Sequence, residues 1–378
     1  MLAAEHLEAT CQMLEQTTYQ AISNHKVDPK ETLHRPAWQE VSRRLFNRFL
    51  PPERVQSLEA NWHLGNYVID RTTGAKLFED MSIYERLGMH LLYYGYEQER
   101  VLHWKRTLDL LQSQSEKMGR EYDSPRSKDH IQPFVDSFKL RDTLAELKKP
   151  DLDDYASFND FFSRELKDGA RPIAEPDNAG VVSSPADCRL TAFPTIDLAT
   201  EYWIKGSGFT IERLLGGDAA LPARFEGGTI VIARLAPQDY HRWHSPIDGT
   251  VESVRDIPGA YYTVNPQAVN ESGTLDVFCE NKRSVMLCQR RPTGSPVAIV
   301  AVGAMLVGSI VYEPGVDRPG TEIKRGQTLG SFRYGGSTVI VLFSAGEVGL
   351  DEDLVKNSTE QHCETLVRVG WRIGAGPA

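Results

Sequence analysis

The stretch Phe332-Arg333-Tyr334-Gly335-Gly336-Ser337-Thr338-Val339-Ile340-Val341-Leu342-Phe343 carries the clearest structural signal in the chain. Thr338 onward is an unbroken apolar, β-branched run of strand length. The two glycines before Ser337 mark a turn into that strand. Working outward, Thr229-Ile230-Val231-Ile232-Ala233 and Val297-Ala298-Ile299-Val300-Ala301-Val302 have the same texture. From Pro172 to the end, short β-rich runs alternate with Gly, Pro and Asp turns.

Upstream the texture differs. Tyr84, Leu87, Leu91 and Tyr94 recur at three- and four-residue spacing, as do Ile131, Phe134, Val135 and Phe138. That spacing predicts helix faces. The aromatic run Leu91-Leu92-Tyr93-Tyr94-Gly95-Tyr96 reads first as a buried face and second as an interfacial one. Around 151–172 the sequence predicts a short helix with turn-like ends, with Ser157 and Asp160 resembling a capping box. The reading is α+β: a mainly helical region over 1–150 packed on a β-rich, sandwich- or barrel-like domain over 151–378. A weak internal echo pairs Ser184-Pro185-Ala186-Asp187 with Ser245-Pro246-Ile247-Asp248 and suggests two similarly built hairpins.

The 378 residues suffice for a sizeable core, and 40% hydrophobic with 25% charged content describes an ordinary globular protein. The formal net charge of −10 and the lack of a Lys/Arg block exclude a nucleic-acid footprint. Local bases such as Lys139, Arg141, Lys148 and Lys149 remain able to touch lipid headgroups. Five scattered cysteines, none in a C-x-x-C pair, predict free thiols in a reducing, intracellular compartment. Met1-Leu2-Ala3-Ala4-Glu5-His6 has neither the basic nor the apolar part of a secretory leader. The longest apolar stretch, 297–312, is too short for a span and is broken by Gly303, Gly308 and Ser309. It predicts two core strands with a tight join.

Three places carry candidate chemistry. A serine hydroxyl can reach the preceding carbonyl only where that residue is small and conformationally free, and Gly336 is both. The Gly336–Ser337 bond therefore suits attack by the chain itself. In Tyr240-His241-Arg242-Trp243-His244-Ser245-Pro246 the two histidines lack a third ligand at recognisable spacing, so no metal site is expected. They suit a base and an acid instead. A lone histidine would be read as satisfying buried backbone groups; a pair beside a serine candidate is not. Asp187, after a proline, is either a turn former or the group that orients a histidine.

Together these motifs resemble the phosphatidylserine decarboxylase family of pyruvoyl-dependent enzymes, over roughly residues 80–375. Gly335-Gly336-Ser337-Thr338 is similar to its self-processing motif, and the histidine and Ser184–Asp187 motifs match in the family's order. Further matches are Phe158-Asn159-Asp160-Phe161-Phe162-Ser163-Arg164-Glu165-Leu166, Gly259-Ala260-Tyr261-Tyr262-Thr263-Val264-Asn265-Pro266 and the stretch 302–309. Met81-Ser82-Ile83-Tyr84-Glu85-Arg86-Leu87-Gly88-Met89 is similar to the eukaryotic second-type members. Lys282 departs from the acidic residue many members carry, and no calcium-binding C2 module is seen.

The resemblance implies a proenzyme. His244, held by Asp187, takes the Ser337 proton, and Ser337 attacks Gly336. The chain splits between Gly336 and Ser337 into a β chain and an α chain headed by a pyruvoyl group. That group decarboxylates phosphatidylserine to phosphatidylethanolamine through a Schiff base, with His241 the candidate proton donor and Tyr261 and Tyr262 candidate pocket residues. A lipid substrate without a transmembrane span implies peripheral membrane attachment, with a cytosolic protein as the alternative; homo-oligomerisation is left open. Two rivals stand: a pyruvoyl-dependent decarboxylase of a soluble aromatic amino acid, and a non-catalytic β-sandwich carrier. A carrier needs a lysine at its hairpin tip, and Ile247-Asp248-Gly249-Thr250 has none.

Overall fold

The computed structural model describes residues 65–80, 113, 116–117, 119–204, 208–262, 276–304, 310–333 and 337–378. The expected helix face of Tyr84, Leu87, Leu91 and Tyr94, the aromatic run at 91–96, Cys11 and Gly336 lie outside these residues.

The frame is a ten-stranded sheet. Its strands are β1 (Gly65–Asp70), β2 (Lys76–Asp80), β4 (Cys188–Phe193), β5 (Thr229–Leu235), β7 (Gly249–Ile257), β8 (Arg283–Arg290), β9 (Pro296–Gly303), β11 (Glu322–Ile323), β13 (Ser337–Phe343) and β15 (Glu364–Val367). They run β11-β7-β8-β9-β13-β5-β4-β15-β1-β2, so the sheet is open, with edges at β11 and β2. The α+β reading stands, and sandwich rather than closed barrel describes the β part. Two three-stranded sheets accompany it. One orders β10 (Ile310–Tyr312), β12 (Thr328–Phe332) and β6 (Arg242–His244); the other orders β14 (Gly349–Leu350), β16 (Arg372–Ala375) and β3 (Val181–Ser183).

The apolar run of β13 explains its place. It pairs antiparallel with both β5 and β9 along all of its length, and every residue is buried. A strand covered on both faces needs apolar side chains at successive positions, as Val339 to Phe343 provide. Val339, Val341 and Phe343 join Trp243, Leu329 and Phe332 in one core layer. Ile340 and Leu342 join the opposite layer, with Trp203, Leu214, Tyr262 and Phe278. By strand alternation Ser337 shares the first face, beneath β6 and β12.

The helix Ile131–Ser137 matches the 131–138 periodicity and packs Phe134 against Phe158 at 5.3 Å between ring centroids. The helix Phe158–Phe162 begins as the capping pattern predicts: Ser157 Oγ accepts from the Asp160 amide at 3.2 Å. The other half of the box differs, since Asp160 accepts from the Ala156 amide rather than that of Ser157. The two Ser-Pro segments are alike in structure. Ser184 Oγ donates to Ala186 O and Ser245 Oγ to Ile247 O, each two residues on. The segments also bond each other, Ser183 N to Pro246 O at 3.0 Å and His244 N to Pro185 O at 2.7 Å.

One expectation fails, and one region read as mainly helical also holds strands. Residues 65–80 form a hairpin inside the region read as helical. Its turn is closed by Asp70 Oδ1, which accepts from the Thr72 and Thr73 amides, and by Gly74 at φ 70°. The 297–312 stretch gives one core strand, β9, but β10 is the edge of a small sheet with Val311 39% exposed. Among the described residues no helix is long and apolar enough to cross a membrane.

Candidate active site

Ser337 opens β13 with its side chain fully buried, opposite Leu235 on β5 and Gly303 on β9. β6 carries the histidine segment over this end of the sheet. Phe332 N donates to His241 O at 2.9 Å, tying that segment to β12 within the small sheet. His241 Nδ1 then stands 3.2 Å from Ser337 Oγ, and its Nε2 stands 3.0 Å from Ala236 O. A carbonyl only accepts, so Nε2 bears the proton and Nδ1 is the lone-pair nitrogen that faces the serine hydroxyl. Phe162 stacks on the imidazole at 3.9 Å between centroids, 25° from parallel.

Burial pushes the His241 pKa down to about 3, and the nearby Arg164 and Arg189 charges add to that. His241 is therefore a neutral acceptor across the physiological range and holds a proton poorly.

His244 has different partners. Its Nδ1 lies 2.9 Å from Gly326 O and its Nε2 3.2 Å from the Tyr240 hydroxyl. The proton is on Nδ1, and the Tyr240 O–H donates to Nε2. Burial lowers its pKa to about 4, while the Gly326 carbonyl and the Asp187 charge pull it back up. The Tyr240 phenol is raised by burial.

Asp187 does not contact His244 by hydrogen bond. Both its oxygens accept from Arg171, at 2.7 to 3.0 Å, and Oδ1 accepts from the Val369 amide at 2.8 Å. It acts on His244 through charge, held nearby by the Pro185–His244 backbone bond. The structure thus brings His241 to Ser337, with the Asp187 charge acting on His244 but not bonded to it. Tyr261 and Tyr262 are buried, Tyr262 in the core layer on the other face of the sheet. Asn281 fixes that segment, accepting from Tyr262 N and donating to the carbonyls of Tyr262 and Gly303, each at 2.8 Å. Gly303 is the β9 partner of Ser337.

Sequence reasoning gave no role to Tyr240, Phe162, Arg164 and Arg171. Tyr240, beside His241, and Phe162 and Arg164, in the matched stretch 158–166, had a signal in reach, whereas Arg171 had none. The turn at 236–240 is held by Arg164, whose Nη2 donates to Gln238 O and Asp239 O at 3.0 and 3.1 Å. A cavity of about 460 Å³ opens beyond that turn, lined by Asp187, Arg189 and Tyr240 among others.

A family profile described as phosphatidylserine decarboxylase matches residues 158–375. The chain is 46% identical over 307 residues to phosphatidylserine decarboxylase proenzyme 3 of Schizosaccharomyces pombe, covering 81% of this chain and 30% of that protein. It is 46% identical over 266 residues to proenzyme 2 of Oryza sativa subsp. japonica, covering 70% and 41%. It is 40% identical over 256 residues to the Fusobacterium nucleatum proenzyme, covering 68% and 81%. The chain thus spans well under half the length of the fungal and plant relatives and most of the bacterial one.

Proposed function

Because the chain belongs to the phosphatidylserine decarboxylase family, we propose that it is a proenzyme that splits itself at Gly336–Ser337 and then decarboxylates phosphatidylserine to phosphatidylethanolamine. The observation that carries the reading is the buried contact of 3.2 Å between Ser337 Oγ and the unprotonated nitrogen of His241. The site fits a group made from a serine: the hydroxyl is fully buried, heads a central strand and faces a proton-free imidazole nitrogen. A pyruvoyl group at this position supplies a carbonyl that condenses with the substrate amine and takes up the electron pair left by carbon dioxide.

The chain's own residues do the rest. In self-processing, Ser337 Oγ bonds to the Gly336 carbonyl carbon as its proton leaves, and the amide gives way to an ester. Loss of the Ser337 α-proton then expels the Gly336 carboxylate, and the dehydroalanine left at 337 takes up water and releases ammonia to give the pyruvoyl group. The base must carry a positive charge for part of this sequence. His244 suits that better than His241, because the Asp187 charge and the Gly326 carbonyl favour an imidazolium at His244 against Arg242 and Arg171, while Arg164 and Arg189 oppose one at His241, whose pKa is driven lower. Both His244 nitrogens are engaged, so its ring must leave Tyr240 to act on Ser337. His241 orients the Ser337 hydroxyl and, in turnover, moves a proton at the reacting carbon. A proton on His241 is readily given up, as protonating that carbon requires. The enclosed setting also keeps water from the departing carboxylate. A lipid substrate requires the chain to meet a bilayer surface, and co-sedimentation with phosphatidylserine liposomes tests that.

The main test separates the two histidines. The denatured mass of the chain reports cleavage, and carbon dioxide release from phosphatidylserine liposomes reports turnover. Wild type should give a fragment of residues 337–378 and release carbon dioxide. Ser337→Ala and His244→Asn should stay intact, whereas His241→Asn should cleave and fail to turn over. Cleavage in Ser337→Ala would refute the proenzyme reading. Release from free tryptophan but not from liposomes would refute the lipid substrate.

A further inference from the structure

The nitrogen that His241 turns to Ser337 is decided by Ala236, whose carbonyl takes the other ring nitrogen. Were the imidazole to hold its proton on Nδ1, it would present a donor to Ser337 in place of the acceptor that orients its hydroxyl, and could take up no proton there in turnover. Ala236 is therefore a control point, and its own amide is held: Asp239 Oδ2 accepts from Ala236 N at 2.7 Å. Asp239 in turn is paired with Arg189, a strand residue of β4. Arg189 is shared, since its Nε and Nη2 also bond Glu79 on β2. Burial works against the Arg189 charge, and the Asp239 and Glu79 carboxylates outweigh it. Five groups in succession, Glu79, Arg189, Asp239, Ala236 and His241, thus run from the edge hairpin to the reacting serine. Glu79 lies outside residues 158–375, on a hairpin the sequence did not reveal.

We propose that Glu79, Arg189 and Asp239 are positioning residues that hold the Ala236 turn and so fix His241 in the tautomer whose Nδ1 faces Ser337. A chain of charge-assisted hydrogen bonds suits this task. Such bonds are shorter and stronger than neutral ones and hold their geometry in a dry site. Glu79 anchors the far end: with Asp239 alone, Arg189 would be free to turn about a single contact, whereas gripping Glu79 through two of its nitrogens fixes the guanidinium plane. The turn is further pinned by Arg164 on its carbonyl side, so loss of the relay loosens the Ala236 end specifically.

The inference about tautomer stands on geometry alone; its effect on turnover rests on the function proposed above. The test uses Asp239→Ala and Glu79→Gln, each also made in a Ser337→Ala chain that cannot cleave. In the uncleaved chains, ring-nitrogen NMR shifts of ¹⁵N-histidine, with His241 assigned by His241→Asn, report which nitrogen bears the proton. The parent should show His241 protonated at Nε2 only. Asp239→Ala should show a mixture of both tautomers, and Glu79→Gln a smaller admixture. In self-processed chains, kcat on phosphatidylserine should fall about tenfold for Asp239→Ala, the worth of one charge-assisted hydrogen bond. Glu79→Gln should lose less, in the same direction.

A single Nε2-protonated form in both variants overturns the relay, whatever the activity. Thermal melts identify an unfolded Asp239→Ala, in which case Glu79→Gln, at the partly exposed end, decides. If wild type releases no carbon dioxide from phosphatidylserine, the function falls, and the ring-nitrogen shifts still decide the relay.

Discussion

Removing the ring that covers His241 should change how stability depends on pH. Phe162 is fully buried and lies 3.9 Å from the imidazole, so Phe162→Ala both leaves a cavity and opens a route for water. The cavity should cost about 3–5 kcal/mol at pH 7. The pH dependence follows from His241 itself, whose folded pKa is about 3 against an ordinary 6.5. Between those values the unfolded chain binds a proton that the folded chain does not, so stability is complete above pH 6.5 and declines as pH falls. At pH 5 the unfolded histidine is protonated by a margin of one and a half pH units, a loss of about 2 kcal/mol. Water at His241 raises its folded pKa and reduces that loss in the variant. The depressed His244 contributes equally to both proteins and cancels. Urea unfolding followed by tryptophan fluorescence, in the Ser337→Ala chain at both pH values, measures the difference. The cost of Phe162→Ala should be smaller at pH 5 than at pH 7 by about 1–2 kcal/mol. An equal cost at both would refute the idea that Phe162 keeps His241 dry and neutral.

Three further outcomes follow from packing and burial. Gly330→Ala puts a methyl into the Trp243 indole and the Val311 carbonyl, and should lower stability by about 1–3 kcal/mol in a thermal melt; an unchanged melting temperature would mean β6 and β12 have room to spare. Glu347→Gln leaves the buried Arg290, now 2.6 Å from a carboxylate oxygen, without its counter-charge, and should cost about 3–5 kcal/mol in urea; an unchanged midpoint would mean the charge is compensated elsewhere. The Cys188 and Cys288 thiols are buried and raised by that burial, Cys288 to about 12, so peptide mass mapping after alkylation at pH 8 should find both unmodified until urea is added. Rapid native labelling would contradict their placement.

The sequence made β13 legible because a strand covered on both faces must be apolar throughout, and Val339 to Phe343 is. The helix Ile131–Ser137 was legible for the matching reason, a single apolar stripe. The hairpin β1–β2 was not. Tyr67 and Leu77 are exposed apolar residues, so the alternation is blurred, and β1 owes its place to parallel pairing with β15, nearly three hundred residues away. At the site, residue types were legible and partners were not. A histidine pair beside a glycine–serine step announces proton transfer. Which nitrogen faces which atom depends on the carbonyls of Ala236 and Gly326, and a backbone carbonyl leaves no mark in the sequence. Asp187 could be read as a histidine's companion, but its grip by Arg171 depends on a loop whose course only the fold determines.

The position of Ser337 has one more consequence. A break before it would fall at the first residue of a central strand, leaving the downstream piece interlaced with the rest. β13 would stay clasped between β5 and β9, β15 between β4 and β1, and β16 against β3. Two polypeptides would then persist as one body without any covalent link. Neither could be exchanged for a fresh copy unless two sheets came apart together. Scission here would therefore be a one-way step in the life of each molecule, and the piece bearing the new terminus would have no independent existence.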